Sequence, residues 1–149
     1  SSLSRSNIDD VGCCHLSKAL RAATSLEELG LSHNQIGDTG AQELAAVLPG
    51  LPELRKIDLT ANGIGPAGGA RLADSLTLCR HLEELMLGFN ALGDCTALGL
   101  ANGLPRHLRV LHLWNNPIPP DMAQHLQNQE PRLDFAFFDN QPQVIPRGT

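Results

Sequence analysis

Six histidines and four cysteines are the side chains of this sequence that could bind a metal ion or attack a substrate. Zinc sites built from Cys and His place their ligands in closely spaced pairs, such as two His on one face of a helix. That spacing does not occur: Cys79 and His81 have no partner pair, and His107 and His112 stand alone. We expect structural or solvated roles for these residues, with no metal site and no cofactor.

Adjacent glutamates occur twice, at Glu27–Glu28 and Glu83–Glu84, and paired carboxylates are groups that general acid–base catalysis uses. The two pairs occupy the same register of an internal repeat, which explains them without any chemistry. No nucleophile, base and orienting group recur near one another. We therefore predict that the chain is not an enzyme and has no catalytic residues.

The repeat is carried by leucine, which supplies 26 of the 149 residues. Equivalent leucines recur every 28 residues at Leu3, Leu31, Leu59 and Leu87, and a last one follows after 26 (113 − 87) at Leu113. Each full unit has the pattern L-x-x-L/I-x-L-x-x-N-x-I/L. No single unit can bury its own leucines, so neighbouring units must cover one another.

Two periodicities alternate within each unit. Apolar residues alternate around Leu29–Leu31, which predicts a short strand, and recur at three and four across Gly40–Leu48, which predicts a helix. Helices need about 10 Å of lateral room and strands about 4.8 Å, so a stack of such units must curve with its sheet inside. We predict an α/β solenoid, a horseshoe of about five strand–helix units with a parallel concave sheet and convex helices.

Polar residues at fixed positions have predicted structural roles in this solenoid. The asparagine after each strand can satisfy backbone groups of adjacent units through its amide, with Ser6 as a weaker substitute in the first unit. This structural ladder comprises Asn34, Asn62, Asn90 and Asn116. Asp38 and Asp94 stand where a helix N-cap or first-turn acid belongs.

Composition and charge exclude several classes of function. The net charge is −5 and the 11 Lys and Arg are scattered, so direct binding of nucleic acid is not expected. Charges, Pro and Gly interrupt the apolar runs, so no membrane segment is expected. The four Cys are too few and too irregular for a disulfide scaffold, and no signal-peptide pattern opens the sequence. An intracellular protein with reduced thiols is expected.

The 28-residue unit, with the phrase IGDTGAQELAAVL, resembles the ribonuclease-inhibitor type of leucine-rich repeat, which includes the receptor portion of NOD-like receptors. Arg80–Asp94 and Leu113–Gln143 look like the C-terminal repeats of the CARD-family NOD-like receptors, the group that includes the class I MHC transactivator. The resemblance implies a cytoplasmic and nuclear regulator of innate immunity and class I MHC transcription. Implied partners are proteins, among them the receptor's own nucleotide-binding domain. The chain itself has no G-x-x-x-x-G-K-S/T loop, so nucleotide chemistry is not carried over.

All aromatic residues of the chain lie between Phe89 and Phe138, and exposed Trp, Met and Phe are enriched at interface centres. The functional hypothesis is a partner-binding patch at the C-terminal end of the concave face, formed by Glu84, Met86, Phe89, His112, Trp114 and Phe137. The alternative has Phe89 filling the core at its turn, which is more usual in such repeats, and Trp114 packing on Phe137 within a cap.

We expect a leucine-rich-repeat domain over 1–140, with a cap over 117–140 and a flexible tail over 141–149. No cap precedes Leu3, so we expect the C-terminal part of a longer array, with artefactual self-association through its N-terminal edge as a hazard. A second functional hypothesis is an enzyme inhibitor of the ribonuclease-inhibitor kind. That function needs a strongly acidic face rich in aromatics, and five aromatics with a net charge of −5 support it weakly.

Overall fold

The computed structural model describes residues 2–131 and the backbone of 134–136, and five strands alternate with helices along this part of the chain. The helices are α1 (Asp10–Leu20), α2 (Asp38–Val47), α3 (Pro66–Leu76), α4 (Asp94–Ala101) and α5 (Pro120–Gln129). The strands are β1 (Glu28–Gly30), β2 (Lys56–Asp58), β3 (Glu84–Met86), β4 (Val110–His112) and β5 (Asp134–Ala136). A short 3-10 turn, Leu48–Gly50, follows α2. The predicted strand–helix solenoid is confirmed.

The strands form one parallel sheet in the order β1-β2-β3-β4-β5. Equivalent residues of the units pair with one another, so Leu29, Ile57, Leu85 and Leu111 lie side by side. Ahead of β1, Ser2 forms an isolated parallel bridge with Gly30. This register means that each side chain on the exposed face of the sheet has its repeat equivalents as direct neighbours.

The core lies between the sheet and the helices and is made of stacked equivalent leucines. Leu31, Leu59, Leu87 and Leu113 are all buried, and the backbone N–H of each of the first three donates to the carbonyl of the following strand. On the helix side the equivalent buried residues are Leu44, Leu72, Leu100 and Leu126. Each layer covers the next, which is why a strictly periodic sequence can build a continuous core from three-residue strands.

The asparagine amides join adjacent units. The Oδ1 atom of Asn62 accepts from the N–H of Ile36, 3.1 Å away, and its Nδ2 donates to the carbonyls of Leu31 at 3.0 Å and Leu59 at 3.1 Å. The same pattern recurs at Asn34, Asn90 and Asn116. One side chain thereby satisfies backbone groups in two units at the turn that leaves the strand.

The aspartates at the helix starts act on the next unit. Oδ1 of Asp38 accepts from the backbone N–H groups of Gly65 and Gly68, both at 2.8 Å, at the beginning of α3. Asp38 is also the predicted first-turn acid of its own helix, whose N-cap is Gly37 without a side-chain bond. Asp10 makes the equivalent bonds to Gly37 and Gly40. The carboxylate therefore satisfies orphan N–H groups of the following helix.

The hydrogen bonds from an aspartate to the following helix do not recur in every unit of the described chain. The next register position after Asp38 is Pro66, which has no carboxylate, and α5 starts with Pro119 as its N-cap. In the fourth unit α4 ends at Ala101, so Leu104 follows the helix, whereas its repeat equivalent Leu76 is the last residue of α3. The predicted tail, 141–149, lies outside the described residues. Residues 132–133 and 137–140 of the predicted cap lie outside them as well. Among the described residues, no helix is long and apolar enough to cross a bilayer.

Candidate protein-recognition site

The exposed face of the sheet presents columns of repeat-equivalent side chains. One column runs from Gly30 through Asp58 and Met86 to His112, as the pairing of β1 to β4 requires. A second column, two residues further along each unit, consists of Ser32, Thr60, Gly88 and Trp114. The units of β1 and β2 therefore contribute small and charged groups, and the units of β3 and β4 contribute Met86, His112 and Trp114.

Trp114 lies across the neighbouring unit at Gly88. A Cβ atom added to Gly88 would overlap the indole atoms Cδ1 and Nε1, so the glycine provides the surface on which the ring rests. The indole also contacts the imidazole of His112, with ring centroids 5.2 Å apart and planes tilted by 37°. Trp114, His112 and Met86 are all half-buried, so each keeps an accessible surface on the concave face.

Phe89 is not a core residue, and the favoured core interpretation for it was wrong. Its side chain is 49% exposed, and its backbone has φ 56°, in the left-handed region. The equivalent residues His33, Ala61 and Asn115 share this conformation, so the turn itself is common to the units. The alternation of buried and exposed side chains along a strand ends at a left-handed residue. The side chain of Phe89 therefore does not point into the core as those of the buried leucines do. The N–H of Phe89 donates to the carbonyl of Trp114 at 2.9 Å, which joins the two aromatic positions through the backbone.

Glu84 borders this patch through an ion pair with the next unit. Nη2 of Arg109 lies 3.7 Å from Oε1 of Glu83 and 3.7 Å from Oε2 of Glu84. Arg109 has 63% side-chain exposure, so these pairs are worth little to stability, about 0–1 kcal/mol. The single positive charge of Arg109 offsets one of the two negative charges beside Met86. Phe137, the remaining predicted patch residue, lies outside the described residues, as does any contact between it and Trp114.

A recess of about 330 Å³ lies at the other end of the concave face, over β1 and β2. Its lining is polar and includes Ser4, Glu28, Lys56 and Asp58. At the aromatic end the indole of Trp114 occupies the space over Gly88. The concave face thus offers a polar recess at one end and a raised apolar surface at the other.

Two of the four cysteines are buried thiols with raised pKa values. Cys13, at a small inward helix position, and Cys79 are buried. Burial, reinforced at Cys13 by the nearby Asp10 carboxylate, raises the thiol pKa of Cys13 from 9.0 to about 12, and burial raises that of Cys79 to about 11. Both thiols therefore stay protonated at neutral pH, which makes them poor nucleophiles. No group of three or more metal-ligating side chains comes together within the described residues.

The comparisons with known proteins identify the class of repeat. A family model described as "Leucine Rich repeat" matches residues 22–45, 51–73 and 78–95. These segments contain β1, β2 and β3 with most of α2 and α3, which agrees with the geometry described above. The fold is that of a leucine-rich-repeat solenoid.

Among curated proteins, the chain is similar to part of a NOD-like receptor. It is 68% identical to human protein NLRC5 over 59 residues, which is 36% of this chain and 3% of that protein. It is 57% identical to mouse protein NLRC5 over 44 residues, 28% of this chain and 2% of that protein. The matched segments thus span only a few per cent of the length of these relatives.

Among solved structures, the chain is similar to leiomodin-1 actin-binding site 2. The TM-score is 0.69, the sequence identity is 17%, and the match covers 89% of this chain and 78% of that one. At this identity the likeness concerns the fold alone. A leucine-rich-repeat module of this kind, similar to part of a NOD-like receptor, suggests non-enzymatic protein interaction.

Sequence reasoning missed two features of this site. It did not find that Gly88 seats the indole of Trp114, although Gly88 is the one residue without a side chain in a column otherwise made of Ser32, Thr60 and Trp114. It also missed the contact of Arg109 with the glutamate pair. Comparing each concave position with its repeat equivalents would have revealed the first feature.

Proposed function

We propose that this chain is a protein-recognition and regulatory module of a NOD-like receptor, and that its partner docks on the concave face at Met86, His112 and Trp114, with Glu84 and Phe89 at the border. The observation that carries the proposal is the half-buried indole of Trp114 resting on Gly88 beside His112. A large aromatic ring held in one place at the surface loses little freedom on binding, and such residues dominate interface energetics.

The similarity to protein NLRC5 supports the wider part of the proposal. By that resemblance the module would act in innate immune signalling and in regulation of class I MHC genes, in the cytoplasm and the nucleus. Its partner would be another protein or the receptor's own nucleotide-binding domain. The apolar side chains of Met86 and Trp114 favour an apolar contact at this end, which Glu83, Glu84 and Arg109 border.

The experiment that tests this function compares three forms of the immobilised chain in affinity capture from one cell lysate. The forms are the wild type, the patch variant Met86→Ala/His112→Ala/Trp114→Ala, and the control variant Lys56→Ala/Asp58→Ala/Thr60→Ala. The control changes three residues of the same face one to two units away. Circular dichroism melting of each form verifies that it is folded.

The proposal expects proteins that bind the wild type and the control equally and are lost from the patch variant. Titration of an isolated NOD-like-receptor nucleotide-binding domain into the same three forms then asks whether that domain is the partner. Equal recovery of all proteins on the folded patch variant and the wild type would remove the proposed site.

A further inference from the structure

A second surface lies at the loops that lead from each helix into the next strand. Arg80–His81 and Arg106–His107 occupy the same register, since 106 − 80 equals the 26-residue spacing of these two units. Each pair directly precedes a buried leucine, Leu82 or Leu108. The buried leucine holds the position of the exposed pair beside it. The four basic side chains are all exposed and lie in adjacent units.

These basic residues line two connected recesses. One, of about 380 Å³, lies between the two pairs and is also lined by Thr77 and Leu104. The other, of about 390 Å³, extends toward α2 and is lined by Pro52, Leu78, Arg80 and His81 among others. Because both include Arg80 and His81, they form one groove across three units, here called the loop groove.

The charge of the loop groove is opposite to that of the whole chain. Its lining contains two arginines and two histidines and no carboxylate, whereas the net charge of the chain is −5. Neither Arg80 nor Arg106 forms an ion pair with a described residue, so their guanidinium groups are not neutralised in this part of the molecule. The groove also has an apolar wall, because Leu78 is 62% exposed. Cationic groups beside accessible apolar surface are complementary to a segment that carries both carboxylates and apolar side chains.

We propose that the loop groove docks an extended acidic peptide segment of a partner protein, with carboxylates paired to Arg80 and Arg106 and an apolar side chain against Leu78. Residues two apart in an extended peptide point the same way about 6.6 Å apart. Arg80 and Arg106 are exposed at equivalent positions of adjacent units, and each guanidinium can donate two parallel N–H bonds to one carboxylate.

A peptide fits the groove better than nucleic acid does. The groove holds no aromatic side chain on which a base would stack. The negative charge of the rest of the chain also repels a long polyanion, while a short segment meets only the local positive field. The loop groove shares no residue with the concave patch, so it is a separate contact beyond the proposed function.

The test uses fluorescence anisotropy with a fluorescein-labelled peptide of alternating Glu and Leu, added to the whole chain. The charge-reversed variant Arg80→Glu/Arg106→Glu is compared with the control Lys18→Glu/Arg21→Glu, which changes the net charge equally at exposed basic residues outside the loop groove. The wild type and the control are expected to bind alike, with affinity reduced at least about tenfold in the charge-reversed variant. A Lys–Leu peptide is expected to bind the charge-reversed variant better than the wild type.

Several results would overturn this assignment. They are absence of binding by the wild type, equal loss of affinity in both variants, and tighter binding of a single-stranded RNA of equal length than of the peptide. Circular dichroism checks folding, and Arg80→Gln/Arg106→Gln replaces the charge-reversed variant if that variant is unfolded. The neutral variant is then expected to lose affinity for the Glu–Leu peptide, and unchanged affinity would contradict the proposal.

Discussion

The indole of Trp114 lies over the Cα atom of Gly88 in the preceding unit, where any Cβ atom would overlap ring atoms Cδ1 and Nε1. At the other end of the same column, Ser4 and Ser32 meet through their hydroxyl oxygens at 2.8 Å. The column thus changes from hydrogen-bonded small residues to one large ring seated on a glycine. That change creates the raised apolar surface on which the proposed recognition rests.

Replacing Gly88 should displace the indole. Gly88→Ser is expected to destabilise the chain by about 1–3 kcal/mol through overpacking and to shift the fluorescence emission of Trp114, the one tryptophan of the chain. The measurements are urea unfolding and emission spectra. Gly103→Ser serves as the control because a Cβ there meets no atom within 4 Å. In Gly88→Ser/Trp114→Ser most of the added cost should vanish, and strict additivity of the two changes would show that the residues are not coupled.

Removing the carboxylate of Asp38 should weaken the junction between α2 and α3. Asp38→Ala is expected to cost about 1 kcal/mol in urea unfolding, because the N–H groups of Gly65 and Gly68 lose their acceptor. Asp94→Ala is the matched control, since both residues are first-turn acids of their own helices. A difference near zero between the two variants would mean that the bonds to the following helix contribute nothing.

Removing an asparagine of the ladder should destabilise the chain more than removing the Asp38 carboxylate. Asn62→Ala should cost about 2–3 kcal/mol, because the N–H of Ile36 and the carbonyls of Leu31 and Leu59 lose their partners at a partly buried turn. Asn62→Asp keeps the acceptor but loses the donors, so it should remain destabilised. Asn128, exposed and bonded to Gln124, provides the control, and Asn128→Ala should stay within about 0.5 kcal/mol of the wild type. Equal costs for Asn62→Ala and Asn128→Ala would refute this role.

The buried thiol of Cys13 should make stability depend on alkaline pH. Its pKa is raised from 9.0 to about 12 in the folded chain, so the unfolded chain loses the proton first as pH rises. The stabilisation is complete below pH 9.0 and is progressively lost toward about 12. Cys13→Ala, which inserts the residue found at the equivalent positions Ala41 and Ala97, should flatten this dependence.

Urea unfolding under reducing conditions at neutral and alkaline pH measures this effect. Cys79, whose pKa is raised to about 11, adds a dependence of the same sign, so Cys13→Ala/Cys79→Ala should be flatter still. Cys95→Ala removes an exposed thiol and should leave the wild-type pH profile unchanged. A profile for Cys13→Ala identical to that of the wild type would contradict the assigned burial effect.

The positions of the leucines predicted the fold because a single packing requirement sets all of them. Leu31, Leu59 and Leu87 must each cover an equivalent neighbour, and only an aliphatic side chain repeated at a constant interval does so. Asparagine at the turn follows the same logic, since the backbone groups that it satisfies recur in each unit. These features are properties of a single unit and its copy, so the period alone reveals them.

The remaining features depend on the turn conformation and on contacts between different units, and the length of the repeat does not reveal either. The Asp38 carboxylate bonds to a helix 27–30 residues later, whereas capping rules concern the helix that a residue itself begins. The exposure of Phe89 follows from a left-handed turn after the strand, through which strand alternation cannot be extended. The seat of Trp114 on Gly88 requires the exact pairing of units separated by 26 rather than 28 residues.

The most direct test of the recognition site is the single change Trp114→Ala, with stability and partner capture measured on one preparation. We predict a small change in the urea midpoint, because the indole lies outside the leucine core, and a loss of about 30-fold in affinity for the partner, as expected of a central interface tryptophan. A large fall in stability together with undiminished binding by the remaining folded chain would contradict the account and assign Trp114 to the architecture of the solenoid end.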